Sequence, residues 1–305
     1  MRNTAVLLID CPDRRGLVAR VAGLLYEHGA NILHADQHQD HEQGLFFMRV
    51  EWSLAGGEPL VESDEWAGDM ENSPAFDLEG FRTAFAPLAA ELGMRWQLTA
   101  PGGFPAQRPR VALFCSQHLH CVADLLYRWR AGELDCEIPV IVSNHRAVES
   151  LADFYGIPFE YTPVTPATRA QAEASQLALL EQHRIGLVVL ARYMQILSPA
   201  FVARYPAAII NVHHSFLPAF TGARPYHAAH ARGVKLIGAT SHYVTEALDD
   251  GPIIEQDVAR ISHRDQVEDL VARGRDLERM VLSRAVRWHI DRRILCYGNK
   301  TVVFD

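Results

Sequence analysis

From residue 110 onward the chain alternates between two periodicities. Apolar runs at 110–115, 138–143 and 185–191, with a shorter one at 159–162, are separated by stretches of helical spacing at 119–130, 147–155 and 167–183. A strand that is apolar along its length buries both faces. Such strands belong to mainly parallel sheets, whose crossover helices cover both sides. The alternation therefore constrains the greater part of the chain to an α/β domain around a mainly parallel sheet. In open sheets of this kind ligands bind outside the carboxyl ends of the strands. The residues that follow each apolar run are thus the ones to read for chemistry.

The run at 207–210 leads into reactive groups. It ends in Asn211, Val212 and His213. Side chains alternate along an extended segment, so Asn211 and His213 share a face. Beyond Pro218 and Gly222 a helix is expected at 225–231, then a second apolar run at 235–244, then a loop holding Asp249, Asp250 and Gly251. A long helical stretch follows at 265–290, and strands at 295–297 and 301–304 form a hairpin around Gly298 and Asn299. An imidazole that titrates near neutrality accepts or donates a proton. A carboxylate orients it and stabilises its charged form, and an Asn side-chain N–H stabilises a developing oxyanion. The three together suit attack on an amide-like carbonyl. No Ser or Cys is forced into the role of nucleophile, which leaves water or a bound amine. Each residue alone has a plainer reading: His213 as a buried strand-end histidine, Asp249 as turn chemistry beside Gly251.

The first hundred residues follow a different order. A strand at 4–9 meets a turn rich in Pro, Asp and Gly, then a helix at 17–28 that Gly29 stops. Strands at 31–38 and 45–52 flank a polar turn, and a polar, acidic loop occupies 56–74. A helix at 78–92 and a strand at 94–98 complete β-α-β-β-α-β, the ferredoxin-like split βαβ unit. Residues 100–109, APGGFPAQRP, hold three Pro and two Gly and read as the domain boundary. Domains are expected at 1–100 and 110–305.

Composition removes several function classes. The chain has 305 residues, 49% of them hydrophobic, enough for two cored domains. A formal charge of −8 argues against a general nucleic-acid surface. No apolar run approaches the roughly 18 residues of a membrane span, and the start of the chain lacks the basic and apolar regions of a secretory leader. A cytoplasmic protein without membrane contact is expected. Cys11, Cys115, Cys121, Cys136 and Cys296 include no CxxC and read as reduced thiols. The turn Ser116 to Cys121 carries neither GxGxxG nor GxxxxGK[ST], which disfavours a nucleotide there. Ser116 remains able to meet an anion at the following helix N-terminus. His214, His227, His230 and His242 invite a metal, and His227 and His230 lie three apart on a helix, but the set has no ligand signature; no metal is expected.

Asn211-x-His213, then Ser215-x-Leu217-Pro218-x-Phe220-x-Gly222, then Asp249-x-Gly251 resembles the folate-dependent formyltransferase superfamily. The text HHSFLPAFTGARPYH is most similar to its deformylase branch, which gives the formyl group to water. The resemblance implies hydrolysis of 10-formyltetrahydrofolate to tetrahydrofolate and formate, serving one-carbon metabolism and purine biosynthesis. It implies that the folate is the substrate and that no cofactor is needed. It makes Asn211, His213 and Asp249 catalytic. It lines the pterin pocket with Met194, Gln195, Ile196 and Leu197 on one wall and Val244, Thr245, Glu246, Ala247 and Leu248 on the other; plain packing is the alternative for the first segment. His214 stands where related transferases usually have Pro, and His242 reads as a supporting or core residue. Arg224 is either a surface cation or an anion contact.

Related glycinamide ribonucleotide transformylases carry a phosphate-holding loop at the position of Ser116 to Cys121, and this chain departs from it. Transfer to an amine such as that ribonucleotide remains the enzyme alternative. Transfer to methionyl-tRNA fits less well, since the chain is acidic and lacks that family's extra domain. A noncatalytic folate- or amino-acid-binding regulator is the alternative of another class. At the amino terminus, Asp13-x-x-Gly16-Leu17 resembles ACT domains, regulatory modules that often pair and bind amino acids. That likeness implies a homo-oligomer and either an amino-acid effector at Asp13, Gly16 and Leu17 or a purely structural role. Gly16 is expected where a ligand or a neighbouring backbone comes close.

Overall fold

The computed structural model describes residues 3–54, 75–100, 108–218 and 225–304. The acidic loop at 56–74, most of the linker, and Phe220, Gly222 and Arg224 lie outside the described residues. Arg108–Val303 form one compact unit, and the amino-terminal segment with Phe304 forms the other.

The amino-terminal unit contains β1 (Thr4–Pro12), α1 (Leu17–Glu27), β2 (Asn31–Asp40), β3 (Leu45–Ser53), α2 (Leu78–Leu92) and β4 (Arg95–Thr99). The strands form an antiparallel sheet in the order β2-β3-β1-β4. Two apolar helix stripes, Leu17, Val21 and Leu25 on α1 and Phe81, Phe85, Ala89 and Leu92 on α2, pack with Leu7, Ile9, Val50 and Trp52 into one core. The carboxylate of Asp77 caps α2 by accepting the Gly80 N–H at 2.9 Å, satisfying a donor that the first turn would otherwise leave free. Edge strand β2 is largely exposed along its ten residues. Gly16 precedes α1 with φ 88°, and no atom lies within 4 Å of where its Cβ would be. A left-handed backbone, rather than the close approach expected at Gly16, is what requires glycine there.

The second unit contains β5 (Arg110–Cys115), α3 (His120–Arg130), β6 (Glu137–Ser143), α4 (Glu149–Tyr155), β7 (Phe159–Tyr161), α5 (Arg169–Gln182), β8 (Leu187–Ala191), α6 (Pro199–Val202), β9 (Ile209–His213), α7 (Pro225–Arg232), β10 (Leu236–Tyr243), β11 (Ile253–Arg260), α8 (Val267–Ile290), β12 (Ile294–Tyr297) and β13 (Lys300–Val303). Seven strands form one sheet, β11-β10-β9-β8-β5-β6-β7. The run from β9 to β7 is parallel, while β10 and β11 are antiparallel. Alternation along β5 divides the core. Val111 and Leu113 face Val122 and Leu125 of α3 and Val281 and Leu282 of α8. Ala112 and Phe114 face Leu180 of α5 and Phe201 of α6.

Two elements depart from expectation. The strand expected at 207–210 runs over Ile209–His213, so Asn211 and His213 are strand residues within the sheet. Strand β11 has no apolar run to announce it. It is a mostly half-exposed edge carrying Glu255, Asp257 and Arg260, and an edge strand tolerates charge because one side meets water. Among the described residues no helix is long and apolar enough to cross a membrane.

Candidate active site

Strand pairing brings the polar groups together. β9 lies between β8 and β10, with Asn211 opposite Leu190 on one side and His242 on the other. The His242 ring Nδ1 lies 2.9 Å from the carbonyl oxygen of Tyr243. A carbonyl only accepts, so Nδ1 carries a proton and donates. In the neutral ring Nε2 then accepts from Asn211 Nδ2 at 3.3 Å. His242, expected only to support the site, thus fixes the orientation of the Asn211 amide and leaves its second N–H free.

The loop after β10 returns a carboxylate to the same place. Tyr243 N–H donates to Pro252 O at 2.9 Å, which closes the loop. Gly251 sits where a Cβ would lie 1.8 Å from the Tyr243 carbonyl oxygen, so no side chain fits. Asp249 adopts φ 54°, a left-handed conformation that Asp tolerates better than most residues. Its Oδ2 lies 3.1 Å from His213 Nδ1, and its Oδ1 lies 3.6 Å from His242 Nε2. The first is a hydrogen bond; the second is too long for one. The bond from His213 holds the Asp249 carboxyl well below the usual range, against the opposing effect of its burial. It is therefore ionised throughout the neutral range. With Nδ1–H donated to Asp249, the lone pair of His213 lies on Nε2, which is buried and has no hydrogen-bond partner.

These groups open onto a cavity of about 340 Å³, a size that suits a small-molecule ligand. Asn211, His213 and Asp249 line it. So do Met194, Gln195, Ile196 and Leu197 from the loop after β8, and Val244, Thr245, Glu246, Ala247 and Leu248 from the loop after β10. Met194, Ile196 and Leu248 are exposed there, at 53%, 55% and 66%, which sets them apart from core residues. The loop after β9 is tied down behind the site: Thr240 Oγ1 donates to Ser215 O at 2.9 Å and accepts Leu217 N–H at 3.1 Å.

His214 is buried against His213, with ring centroids 5.1 Å apart and planes 28° from parallel. Burial, then Arg192 and His213, push its pKa down from 6.5 to about 4. Between those values the unfolded chain binds a proton that the folded chain refuses. The stability from neutral His214 is therefore complete above the unfolded value and lost as pH falls through the folded one, on the order of 3 kcal/mol over the window. Urea unfolding at pH 7 and pH 4 should show this loss, and His214→Phe should make it shallower. An equal loss in the variant would remove His214 as its source.

Behind the cavity lies a group of residues that sequence reasoning missed. Glu278 of α8 is 1% exposed. Its Oε1 accepts from Tyr226 Oη at 2.7 Å, its Oε2 lies 2.7 Å from His120 Nε2, and Arg192 Nε stands 3.4 Å from Oε2. Burial drives the Glu278 carboxyl up, but His120, Arg192 and Tyr226 together bring it below its ordinary value. A signal was present: Glu278 interrupts the buried stripe of Leu277, Val281 and Leu282. His120, Cys121 and Glu278 cluster closely enough to suggest a metal. Burial keeps the Cys121 thiol well above its ordinary pKa, and the carboxylate already accepts hydrogen bonds, so the donor set fits a hydrogen-bonded core better than a cation. His227 and His230 are absent from this set. Ser116 is not an anion contact: it is 2% exposed, and its hydroxyl donates to Asn144 Oδ1 at 2.6 Å and accepts Met194 N–H at 3.1 Å.

A sequence profile described as formyl transferase matches residues 109–286, and one described as ACT domain matches residues 5–63. Formyltetrahydrofolate deformylase of Synechocystis sp. is 52% identical over the full length of both chains. The chain belongs to the formyltetrahydrofolate deformylase family. The crystal structure of a formyltetrahydrofolate deformylase from Pseudomonas syringae pv. tomato is 49% identical, with a TM-score of 0.88 over 99% of this chain and 94% of that one. Glycinamide ribonucleotide transformylase 1 from Symbiobacterium toebii is 28% identical, with a TM-score of 0.61 over 66% of this chain and 97% of that one. The deformylase relatives thus match both units, whereas the transformylase corresponds to about two-thirds of the chain.

Proposed function

We propose that this chain hydrolyses 10-formyltetrahydrofolate to tetrahydrofolate and formate, with Asn211, His213 and Asp249 as its catalytic residues. The observation that carries this reading is His213 Nε2, buried and unpartnered at a ligand-sized cavity while Nδ1 is bonded to an ionised Asp249. Water attacks the formyl carbon as Nε2 takes its proton. The carbonyl oxygen becomes an oxyanion facing the free N–H of Asn211. Asp249 stabilises the imidazolium without taking its proton. Collapse breaks the bond from carbon to N10, His213 returns its proton to N10, and the acid product leaves as formate after losing its own proton.

The pterin lies between Met194–Gln195–Ile196–Leu197 and the 244–248 loop, where backbone groups match the edge of a flat heterocycle. The folate is the substrate, and no separate cofactor takes part. The amino-terminal unit assembles subunits through its open edge strand β2, and Asp13, Gly16 and Leu17 form its effector turn; Asp13 Oδ1 accepts from Gln39 Nε2 at 3.2 Å there. Incubation with 10-formyltetrahydrofolate should yield tetrahydrofolate and formate in equal amounts, at a rate unchanged by glycinamide ribonucleotide. A formylated amine in place of formate would favour the transferase. Folate binding without turnover would favour the regulator.

A further inference from the structure

Arg192 borders the same cavity as Asn211 and His213. Its side chain is 11% exposed, and both Nε and Nη1 are buried without a hydrogen-bond partner. Buried N–H donors are rarely left unmatched, and arginine does not escape the cost by losing its charge. Glu278 stands 3.4 Å from Nε but does not receive a hydrogen bond from it. Each Glu278 oxygen accepts one hydrogen bond, Oε1 from Tyr226 Oη and Oε2 from His120 Nε2. Glu278 therefore balances the guanidinium charge, while Nε and Nη1 keep no hydrogen-bond partner. Arg192 has φ 62°, a left-handed backbone that suits glycine.

The reaction proposed above creates a matching ligand. The formyl group enters as part of a neutral amide. Hydrolysis breaks the bond from carbon to N10 and forms one from carbon to the water oxygen. N10 takes one proton of the water, and the second leaves as the acid ionises. A planar anion thus appears beside Asn211 and His213. His213 is neutral again by then, and Arg192 is the standing cation among the described lining residues. Guanidinium N–H groups bind carboxylates through charge-assisted hydrogen bonds. We propose that Arg192, braced by Glu278, forms a subsite for a small carboxylate and holds the product formate. The identity of that carboxylate rests on the hydrolase reading; the subsite itself rests on the buried free donors.

The test uses the full chain with sodium formate and sodium azide, a formate-sized anion, at ionic strength fixed with chloride. Both anions should inhibit turnover by the unchanged protein saturably and beyond the chloride control. Arg192→Gly suits the left-handed backbone, and it should raise both inhibition constants by about tenfold or more, the scale of a lost hydrogen bond to a charged group. Arg192→Lys should fall between, and millimolar guanidinium ion should restore inhibition to the glycine variant. Titration of the resting protein with azide, followed by its infrared stretch, reads the subsite without turnover. It should show a bound band in the unchanged protein that weakens in Arg192→Lys, the variant to use if glycine prevents folding. Equal inhibition constants in the unchanged and substituted proteins, or azide indistinguishable from its spectrum in buffer, would overturn the subsite. Failure to release formate from 10-formyltetrahydrofolate is a separate result and would overturn the hydrolase reading, while the azide titration still reports on Arg192.

Discussion

His213→Ala is expected to lower turnover by about 10²–10⁴-fold, the usual contribution of a positioned general acid–base, while folate binding changes little. The imidazole lines the same cavity as the two loops proposed to hold the pterin, and the substitution leaves those loops unchanged. Asn211→Ala should cost about 10²–10³-fold if its free N–H meets the oxyanion. Its other contact, to His242, belongs to the ground state, so the loss should appear in kcat more than in folate affinity. Turnover of both purified variants, with folate binding followed by fluorescence quenching, checks the assignment. Near-normal turnover in both would remove this mechanism.

Asp249→Asn is the second large effect, expected between about 10² and 10⁴-fold by analogy with the loss of a triad carboxylate. The substitution preserves shape and the left-handed backbone, which Asn also tolerates. Two things are lost. Asn no longer stabilises protonated His213 by charge. Its amide also presents an N–H that favours the wrong imidazole tautomer, with the proton on Nε2 and no lone pair toward water. The pH–rate profile of the variant should therefore shift as well as fall. An unchanged rate and profile would reduce Asp249 to a turn residue.

The alternation after residue 110 disclosed the sheet because fully buried strands write their burial into composition. The central strands β5, β6 and β8 are apolar nearly throughout. The edge strand β11 was hidden by the same logic, since half-exposed Glu255 and Asp257 carry no apolar period. Asn211, His213 and Asp249 could be named because two of them share a strand face, the third stands two residues before a turn glycine, and together they resemble the formyltransferase motif. That His242 orients Asn211 was not readable, because it depends on β9 and β10 pairing with those residues opposite. The Arg192–Glu278 pair joins residues from the end of β8 and the middle of α8, and only the packing of that helix brings them together. Glu278 on a buried stripe was the one local sign of it.

The central claim is that water is the formyl acceptor, activated at His213 Nε2. Running the reaction in ¹⁸O-water, under conditions where formate does not exchange oxygen, tests it most directly. One solvent oxygen should appear in each formate released, and glycinamide ribonucleotide should be unnecessary. Strict dependence on that amine, with a formylated amine as product and no labelled formate, would contradict the account.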